Sequence, residues 1–278
     1  MKSIAILSVA IFFLGSMIFT ACQKGVFDDH GGHNVNRPHH ATIFLTDDQT
    51  PVFDSVFIDL QKLEVKVEDE PLGTEGWVTL NIRPGVYNIL RFRNGIDTLF
   101  ATGTLPNADI RKLRLTLGTR NSIMIGNQSL PLRIHDNEMQ IVVDIESGDF
   151  EIVGSDQVLF WMDFDLGGSI RVDNSGPGKN NGFELKPHIK IFTESKSGRI
   201  EGKVFPEDAH AMVMAIQGTD TTMAIPDDGD GEFKIVGLHQ GTYSVFVDGQ
   251  NGYNDVTVDN VRVANGEDTH IPAITLHK

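Results

Sequence analysis

The apolar side chains of this chain alternate with a period of two residues over most of its length, and this period constrains the fold most strongly. Successive side chains of a β-strand point to opposite faces, so a period of two predicts half-buried strands. The clearest stretch contains six alternating apolar residues with a one-residue shift in the middle: Val56, Ile58, Leu60, Leu63, Val65 and Val67. An extra residue near Gln61, a β-bulge, would return all six to one core. Glu64, Lys66 and Glu68 would then form a solvated face.

Further short alternating runs are separated by turn residues, as at Arg83-Pro84-Gly85 and Arg93-Asn94-Gly95. The predicted strands include 77–82, 112–117, 140–145, 158–166 and 186–192, with one short helix around 86–92. Strands at this spacing are typical of a sandwich or open barrel. The polar segment 194–198 marks a domain boundary. We therefore predict an all-β fold with two β-sandwich-like domains, at 41–193 and 198–278.

The first 22 residues have the order of a secretory signal: Lys2, an apolar run from Ile4 to Ile18, then small residues before Cys22. Phe19-Thr20-Ala21-Cys22 is also similar to the bacterial lipobox, which implies cleavage after residue 21 and lipid on the new amino-terminal cysteine. Cys22 is the only cysteine, so it cannot form an intrachain disulfide. The alternatives are an uncleaved membrane anchor and an ordinary buried cysteine. We predict a signal peptide at 1–21 and a lipidated, flexible stalk at 22–40.

The chain is acidic, with a formal net charge of −15, and removing residues 1–21 leaves 257 residues. That length is enough for two modest cores. An acidic surface repels nucleic acid and anionic lipid headgroups alike, so nucleic acid is not expected as a partner. The expected membrane contact is lipid attached to Cys22, and two or more acyl chains would anchor the protein stably.

The carboxy-terminal stretch resembles the carboxypeptidase regulatory-like domain over residues 198–276. The residues that carry the resemblance are Gly198–Val204, Asp230–Leu238 and Gly241–Val245. The resemblance implies a small transthyretin-like β-sandwich. Relatives serve as spacers, as docking modules and, in the broader starch-binding-like group, as sugar binders, so the likeness does not select one activity.

Residues 41–192 look like the bacterial lipoprotein domain known as domain of unknown function 4382. The matching residues include Ile43–Asp47, Val56–Val67, Gly76–Leu80 and Asp163–Leu166. That family has no established reaction, so the resemblance implies an architecture and an envelope location rather than a mechanism.

Asp163 and Asp165 are two residues apart on a predicted strand, so both carboxylates are expected on one face beside Trp161. With Asp47 from the loop after the first strand they form a weak candidate calcium site, or an acid–base pair. An exposed acidic face is the competing interpretation, and we expect no bound metal or cofactor. Trp161 and Trp77 are interpreted as partly buried core residues, with sugar stacking as the alternative.

Residues 227–232 contain four acidic residues and two glycines, but they lack the spacing of a calcium loop and are interpreted as a hairpin loop. The chain contains no Gly-x-Ser-x-Gly elbow, no His-Glu-x-x-His pair and no phosphate-cradling glycine loop. We therefore predict a non-enzymatic outer-membrane lipoprotein, on the periplasmic or the cell-surface face, in a binding or spacer role. Carbohydrate binding is the alternative, and an enzyme of unknown class comes third. The expected partners are membrane lipid and a glycan or envelope protein.

Overall fold

A computed structural model describes residues 38–47, 53–67, 76–106, 110–146, 150–154, 156–173 and 182–278. The predicted signal peptide, the predicted lipid-attachment residue Cys22 and the predicted stalk up to residue 37 lie outside the described residues. Within the described part, no helix has both the length and the apolar character needed to cross a bilayer. The first strand begins at His39, so the last two residues of the predicted stalk are part of the folded sheet.

The described part of the chain is nearly all β, as predicted, and residues 39–192 form what we call the first β unit. Its strands are β1 (His39–Thr46), β2 (Ser55–Val67), β3 (Trp77–Thr79), β4 (Asn81–Ile82), β5 (Gly85–Asn88), β6 (Thr98–Leu105), β7 (Ile110–Leu117), β8 (Ser122–Ile125), β9 (Gln128–Arg133), β10 (Gln140–Asp144), β11 (Glu151–Val153), β12 (Gln157–Phe164), β13 (Ile170–Val172), β14 (Phe183–Leu185) and β15 (Ile189–Phe192). The short helix predicted near 86–92 is a 3-10 turn, Ile89–Phe92, after β5. A second 3-10 turn is Asp136–Glu138, and α1 is a single turn, Leu166–Ser169.

Two sheets build the first β unit. One has the order β11-β12-β1-β6-β4, with β15 also pairing with β12; the other has the order β10-β7-β2-β8-β9-β14-β13, with β3 and β5 also pairing with β2. Buried residues of both sheets form one hydrophobic core. Phe160, Met162 and Phe164 of β12 are completely buried in it.

Strand β2 contains the predicted bulge: its pairing with β7 shifts register between Leu60 and Lys62. The six alternating apolar side chains of β2 are each at most 2% exposed, so the bulge does return them to one core. The prediction that Glu64 is solvated is wrong. Its side chain is 6% exposed, accepts a hydrogen bond from Arg114 Nε at 2.8 Å and pairs with Lys62 at 2.7 Å. Burial alone would raise the pKa of Glu64, but these two cations lower it below its usual value.

A second buried carboxylate of β2 lies beside the bulge. Asp59 is 3% exposed and accepts two hydrogen bonds from Arg120, from Nε and Nη2, both at 2.9 Å. Gln61 Nε2 donates to the same carboxylate at 2.5 Å. The Arg120 hydrogen bonds, opposed by burial, hold the pKa of Asp59 below its usual value. A Cβ atom on Gly118 would lie 2.2 Å from Asp59 Oδ2, so this arrangement requires glycine there.

Residues 198–276 form the second β unit around a separate core. Its strands are β16 (Gly198–Phe205), β17 (Met212–Gln217), β18 (Asp220–Ala224), β19 (Glu232–Leu238), β20 (Gly241–Asp248), β21 (Val256–Val263), β22 (Asp268–His270) and β23 (Ile274–Thr275), with a 3-10 turn at Glu207–Ala209. One sheet has the order β19-β16-β22, with β23 also on β16, and the other has the order β18-β17-β20-β21. The acidic loop 227–232 therefore connects two sheets, and its interpretation as a hairpin loop is wrong. Asp227 accepts a hydrogen bond from Gly229 N at 2.8 Å, which closes the loop on itself.

Candidate binding cleft between the two β units

The two β units meet at a junction in which Asn94 of the first unit hydrogen-bonds to the backbone of the second. Asn94 Nδ2 donates to the carbonyl oxygen of Ile225 at 3.0 Å, and the backbone N–H of Lys234 donates to Asn94 Oδ1 at 3.3 Å. The side-chain amide thus satisfies a donor and an acceptor of the second unit. Asn94 has a φ of 57°, in the left-handed region that asparagine tolerates better than most residues. The predicted turn at Arg93-Asn94-Gly95 is therefore also an inter-unit contact.

Close packing of Phe192 against Gly237 forms the other side of the junction. Gly237 has a φ of 70°, and a Cβ atom there would lie 2.8 Å from Phe192 Cδ1. No real side chain tolerates that distance without a shift of the ring or the backbone. A glycine at this position lets the aromatic ring of β15 lie directly on the second unit.

The connection between the units is a tight turn rather than an extended linker. Ser197 donates to the carbonyl oxygen of Thr193 twice, from Oγ at 2.7 Å and from its backbone N–H at 3.0 Å. Thr193 is completely buried. Arg199 then pairs with Glu194 at 2.9 Å, across the same turn. These contacts fix the direction in which β16 leaves the first unit.

A cleft of about 340 Å³ lies at this junction. Residues of both units line it: Asp163, Lys190, Ile191, Phe192, Thr193, Lys196 and Ser197 of the first unit and the connecting turn, and Thr222, Val236, Gly237 and His239 of the second. Its lining combines hydroxyl groups, charged groups of both signs and apolar side chains. Ligand sites concentrate at such junctions, where a few polar groups converge in an apolar recess.

An aromatic row on the outer face of the first sheet ends at the junction. Register places Leu99, Phe44, Trp161 and Phe192 opposite one another on neighbouring strands. The Trp161 ring stacks on Phe44 with centroids 5.1 Å apart and faces Phe192 at 6.2 Å, and its Nε1 donates to Asp97 at 2.6 Å. Trp161 is half-buried with an aromatic ring on each side. Its faces therefore serve packing and are not open to stack on a sugar ring.

Trp77 is on β3, in the other sheet of the first β unit. The Arg114 guanidinium lies 4.0 Å from the centre of its ring, at the distance of a cation–π contact. Arg114 also donates to Glu64, so the guanidinium lies between the half-buried Trp77 ring and that carboxylate's hydrogen bond.

The structure brings two of the three predicted acidic candidates onto neighbouring strands. Strand β1 pairs with β12 in parallel, with Thr46 opposite Asp163, so Asp47 follows at the end of the same pair of strands. Asp47 is 4% exposed and Asp163 is 6% exposed. The prediction that Asp165 continues the face of Asp163 is wrong, because β12 ends at Phe164.

Asp165 instead caps the helical turn α1. Its carboxylate accepts a hydrogen bond from Gly168 N at 2.8 Å and lies 3.0 Å from His188 Nδ1 and 3.3 Å from Lys190 Nζ. Burial alone would raise the pKa of Asp165, but Lys190, Gly168 and His188 lower it below the usual value. Within the described ranges, no three His, Cys, Asp or Glu side chains are grouped so that they could hold a metal ion.

A family model described as "Domain of unknown function (DUF4382)" matches residues 40–187, which is more than half of the chain. Comparison with curated proteins gives no match.

Three solved structures show distant similarity. The first is a mutant type II cohesin–X-dockerin complex from Acetivibrio cellulolyticus, with 21% identity, a TM-score of 0.24 and coverage of 28% of this chain and 56% of that one. The second is GBS52, the minor pilin of Streptococcus agalactiae, with 10% identity, a TM-score of 0.22 and coverage of 86% and 97%. The third is the Bacillus anthracis TIE protein, with 13% identity, a TM-score of 0.24 and coverage of 82% and 35%. This chain thus spans about half the length of the first and a third of the last. TM-scores this low carry no conclusion about its fold or function.

Proposed function

The chain belongs to the DUF4382 family, and from that premise we propose that it is a non-enzymatic lipoprotein of the cell envelope with a binding or spacer role. The observation that supports this role is the junction: Asn94 and the Phe192–Gly237 contact join the two β units into one compact body. A body of that kind can hold a surface at a set distance from a membrane. We propose the outer membrane as its location, on either face.

The proposed anchor is lipid on Cys22, supported by the order of residues in the first 22 positions. The first strand begins at His39, 17 residues after Cys22. That interval contains several glycine, asparagine and histidine residues, a composition typical of a spacer.

We also propose that residues 198–278 are a carboxypeptidase regulatory-like domain. Support comes from its two four-stranded sheets around a core of its own and from the motifs quoted above. This proposal concerns architecture, because such domains serve several roles.

Labelling with palmitate in cells tests the anchor. Cys22→Ala should abolish incorporation and leave a longer precursor, because the cysteine thiol is the acylation site. Ser8→Ala is the matched control, since it keeps the apolar run and should label normally. Equal labelling of the cysteine variant would refute the lipoprotein proposal.

The non-enzymatic role is tested on purified mature protein with mixed glycoside, ester and peptide substrates. We expect no turnover, and any turnover that purifies with the protein would contradict the proposal. Carbohydrate binding is the second candidate, and the observation that favours it is the junction cleft, whose lining combines hydroxyl, charged and apolar side chains.

A further inference from the structure

The outer face of one sheet of the second β unit carries a continuous group of apolar side chains. In the sheet β18-β17-β20-β21, Val213 and Val245 are completely buried in the core, so their neighbours along β17 and β20 point outward. Register places Met214 between Met223 of β18 and Phe246 of β20. We call the outward apolar residues the methionine face; each is half-buried and keeps part of its surface open to solvent: Met212, Met214, Ile216, Met223 and Phe246.

The composition of this face is unusual for a strand surface. The chain has eight methionines, of which two are in the predicted signal peptide and three are on the methionine face. The other three, Met124, Met139 and Met162, are in the first β unit. Strands usually carry β-branched and aromatic residues. Methionine is unbranched and polarisable, so a surface rich in it can adapt to an apolar partner.

Acidic groups lie at both ends of the methionine face. Asp248 is directly opposite Met212. Asp259 accepts a hydrogen bond from Ser244 Oγ at 2.7 Å, at the other end. Arg262 lies farther along the same sheet and offsets part of the charge at that end.

A recess of about 310 Å³ extends the face beyond Met212. Its apolar lining includes Val204, Pro206, Ala211, Ile225 and Pro226. Its acidic residues, all exposed, are Glu207, Asp227 and Asp228, and none of the described residues that line it is a lysine or arginine. Apolar walls with carboxylates at the rim fit an apolar stem that ends in a cation, which is the form of a lysine or arginine side chain.

Size and charge select the occupant of the face. Three strands make it about 10 Å wide and the residues 212–216 make it about 13 Å long, which matches about nine residues of one α-helix. A second copy of this acidic chain, or anionic lipid, would meet like charge, whereas a basic partner is attracted.

We propose that the methionine face binds a basic amphipathic helix of a partner protein. The apolar side of the helix packs on Met214 and Phe246, and a lysine or arginine of the helix enters the recess beside Met212. This assignment names a partner class for the binding role proposed above and rests on that role, but it is independent of the lipid anchor.

Methyl NMR of the mature protein labelled at methionine Cε tests the assignment. The probe is a leucine–lysine peptide of about 15 residues, long enough to form a helix with one apolar side. It should shift the signals of the three methionines of the face and leave those of the three in the first β unit in place. For so small a contact we expect a Kd of roughly 10–100 µM. The same peptide with glutamate for lysine should bind at least about tenfold more weakly.

Variants separate the apolar and the charged contributions. Met214→Gln/Phe246→Gln should weaken binding of the basic peptide at least about tenfold, because central apolar anchors carry most of the binding free energy. Its melting temperature should change little, since both side chains point away from the core. Leu99→Gln is the matched control: Leu99 is 58% exposed on a sheet of the first unit, and the variant should bind normally. Asp248→Asn should weaken binding about twofold at low salt and have no effect at about 1 M salt.

The assignment would be overturned by any of four results: no shift of the face methionines at about 1 mM basic peptide; equal binding of the acidic peptide; equal shifts in the first unit; or unchanged binding in the double variant. Self-association in sedimentation, or flotation with phosphatidylcholine vesicles, that the double variant abolishes would instead give the face to a second copy or to lipid. Failure of peptide binding with normal palmitate labelling removes the partner and leaves the anchored role. Loss of labelling with normal peptide binding removes the anchor and leaves the methionine face.

Discussion

Asn94→Ala should open the junction between the two β units. The side chain exchanges hydrogen bonds with the Ile225 carbonyl at 3.0 Å and the Lys234 N–H at 3.3 Å, and each contributes about 1 kcal/mol. Asn94 also has a φ of 57°, where alanine costs about 1 kcal/mol more. The expected loss of junction stability is therefore about 3 kcal/mol. Asn94→Gly is the matched control: it loses the same hydrogen bonds but accepts the backbone conformation, so it should lose about 2 kcal/mol.

Native-state proteolysis of the connecting turn measures this loss. Residues 194–198 have no large apolar side chain, and we expect them to be the first site of cleavage after the stalk once the junction opens. When reclosing is fast, the cleavage rate follows the population of the open form. The rate should then rise about 150-fold in Asn94→Ala and about 30-fold in Asn94→Gly. Rates within threefold of the natural protein in both variants, or first cleavage within residues 41–190, would refute this account of the junction.

Two further predictions concern the acidic residues. Because Arg120 lowers the pKa of Asp59 in the folded state, the stability from this pair is complete above the unfolded pKa of about 3.9 and is lost as pH falls through the lower folded value. In urea unfolding, Asp59→Asn should therefore have a lower free energy of unfolding than the natural protein at pH 7, and this difference should shrink below about pH 4. A difference that grows as the pH falls would contradict the direction of the pKa shift. Calcium should leave the melting temperature unchanged in the natural protein and in Asp163→Asn/Asp165→Asn alike. A rise that only the double variant abolishes would establish a metal site.

The alternation of apolar residues predicted the strands and even the bulge of β2, because a period of two fixes which side chains share a face. It did not predict what covers the opposite face. Glu64 is on the expected side of its strand, yet Arg114 of β7 donates to it, and the Trp77 ring of β3 lies against the same guanidinium. Such cover depends on cross-strand register, which a local pattern does not contain.

The residues of the candidate site are harder to predict from the sequence, because their contacts also depend on how distant segments pair. Extending the alternation one residue beyond the end of β12 places Asp165 on the face of Asp163, but the strand ends at Phe164. The turn at Asn94 was predicted from its residue types, but its contact with Ile225 joins positions 131 residues apart. No local signal reports a contact at that separation; covariation between the two segments would be needed.

The position of β1 has a mechanical consequence. Strand β1 lies inside its sheet, with β12 parallel on one side and β6 antiparallel on the other. A pull on the chain ahead of His39 acts along this strand and loads both ladders in shear, so their hydrogen bonds must break together rather than one by one. Seven residue pairs join β1 to each neighbour. With the lipid anchor proposed above, tension from the membrane would therefore act on a strand that is held by two ladders at once.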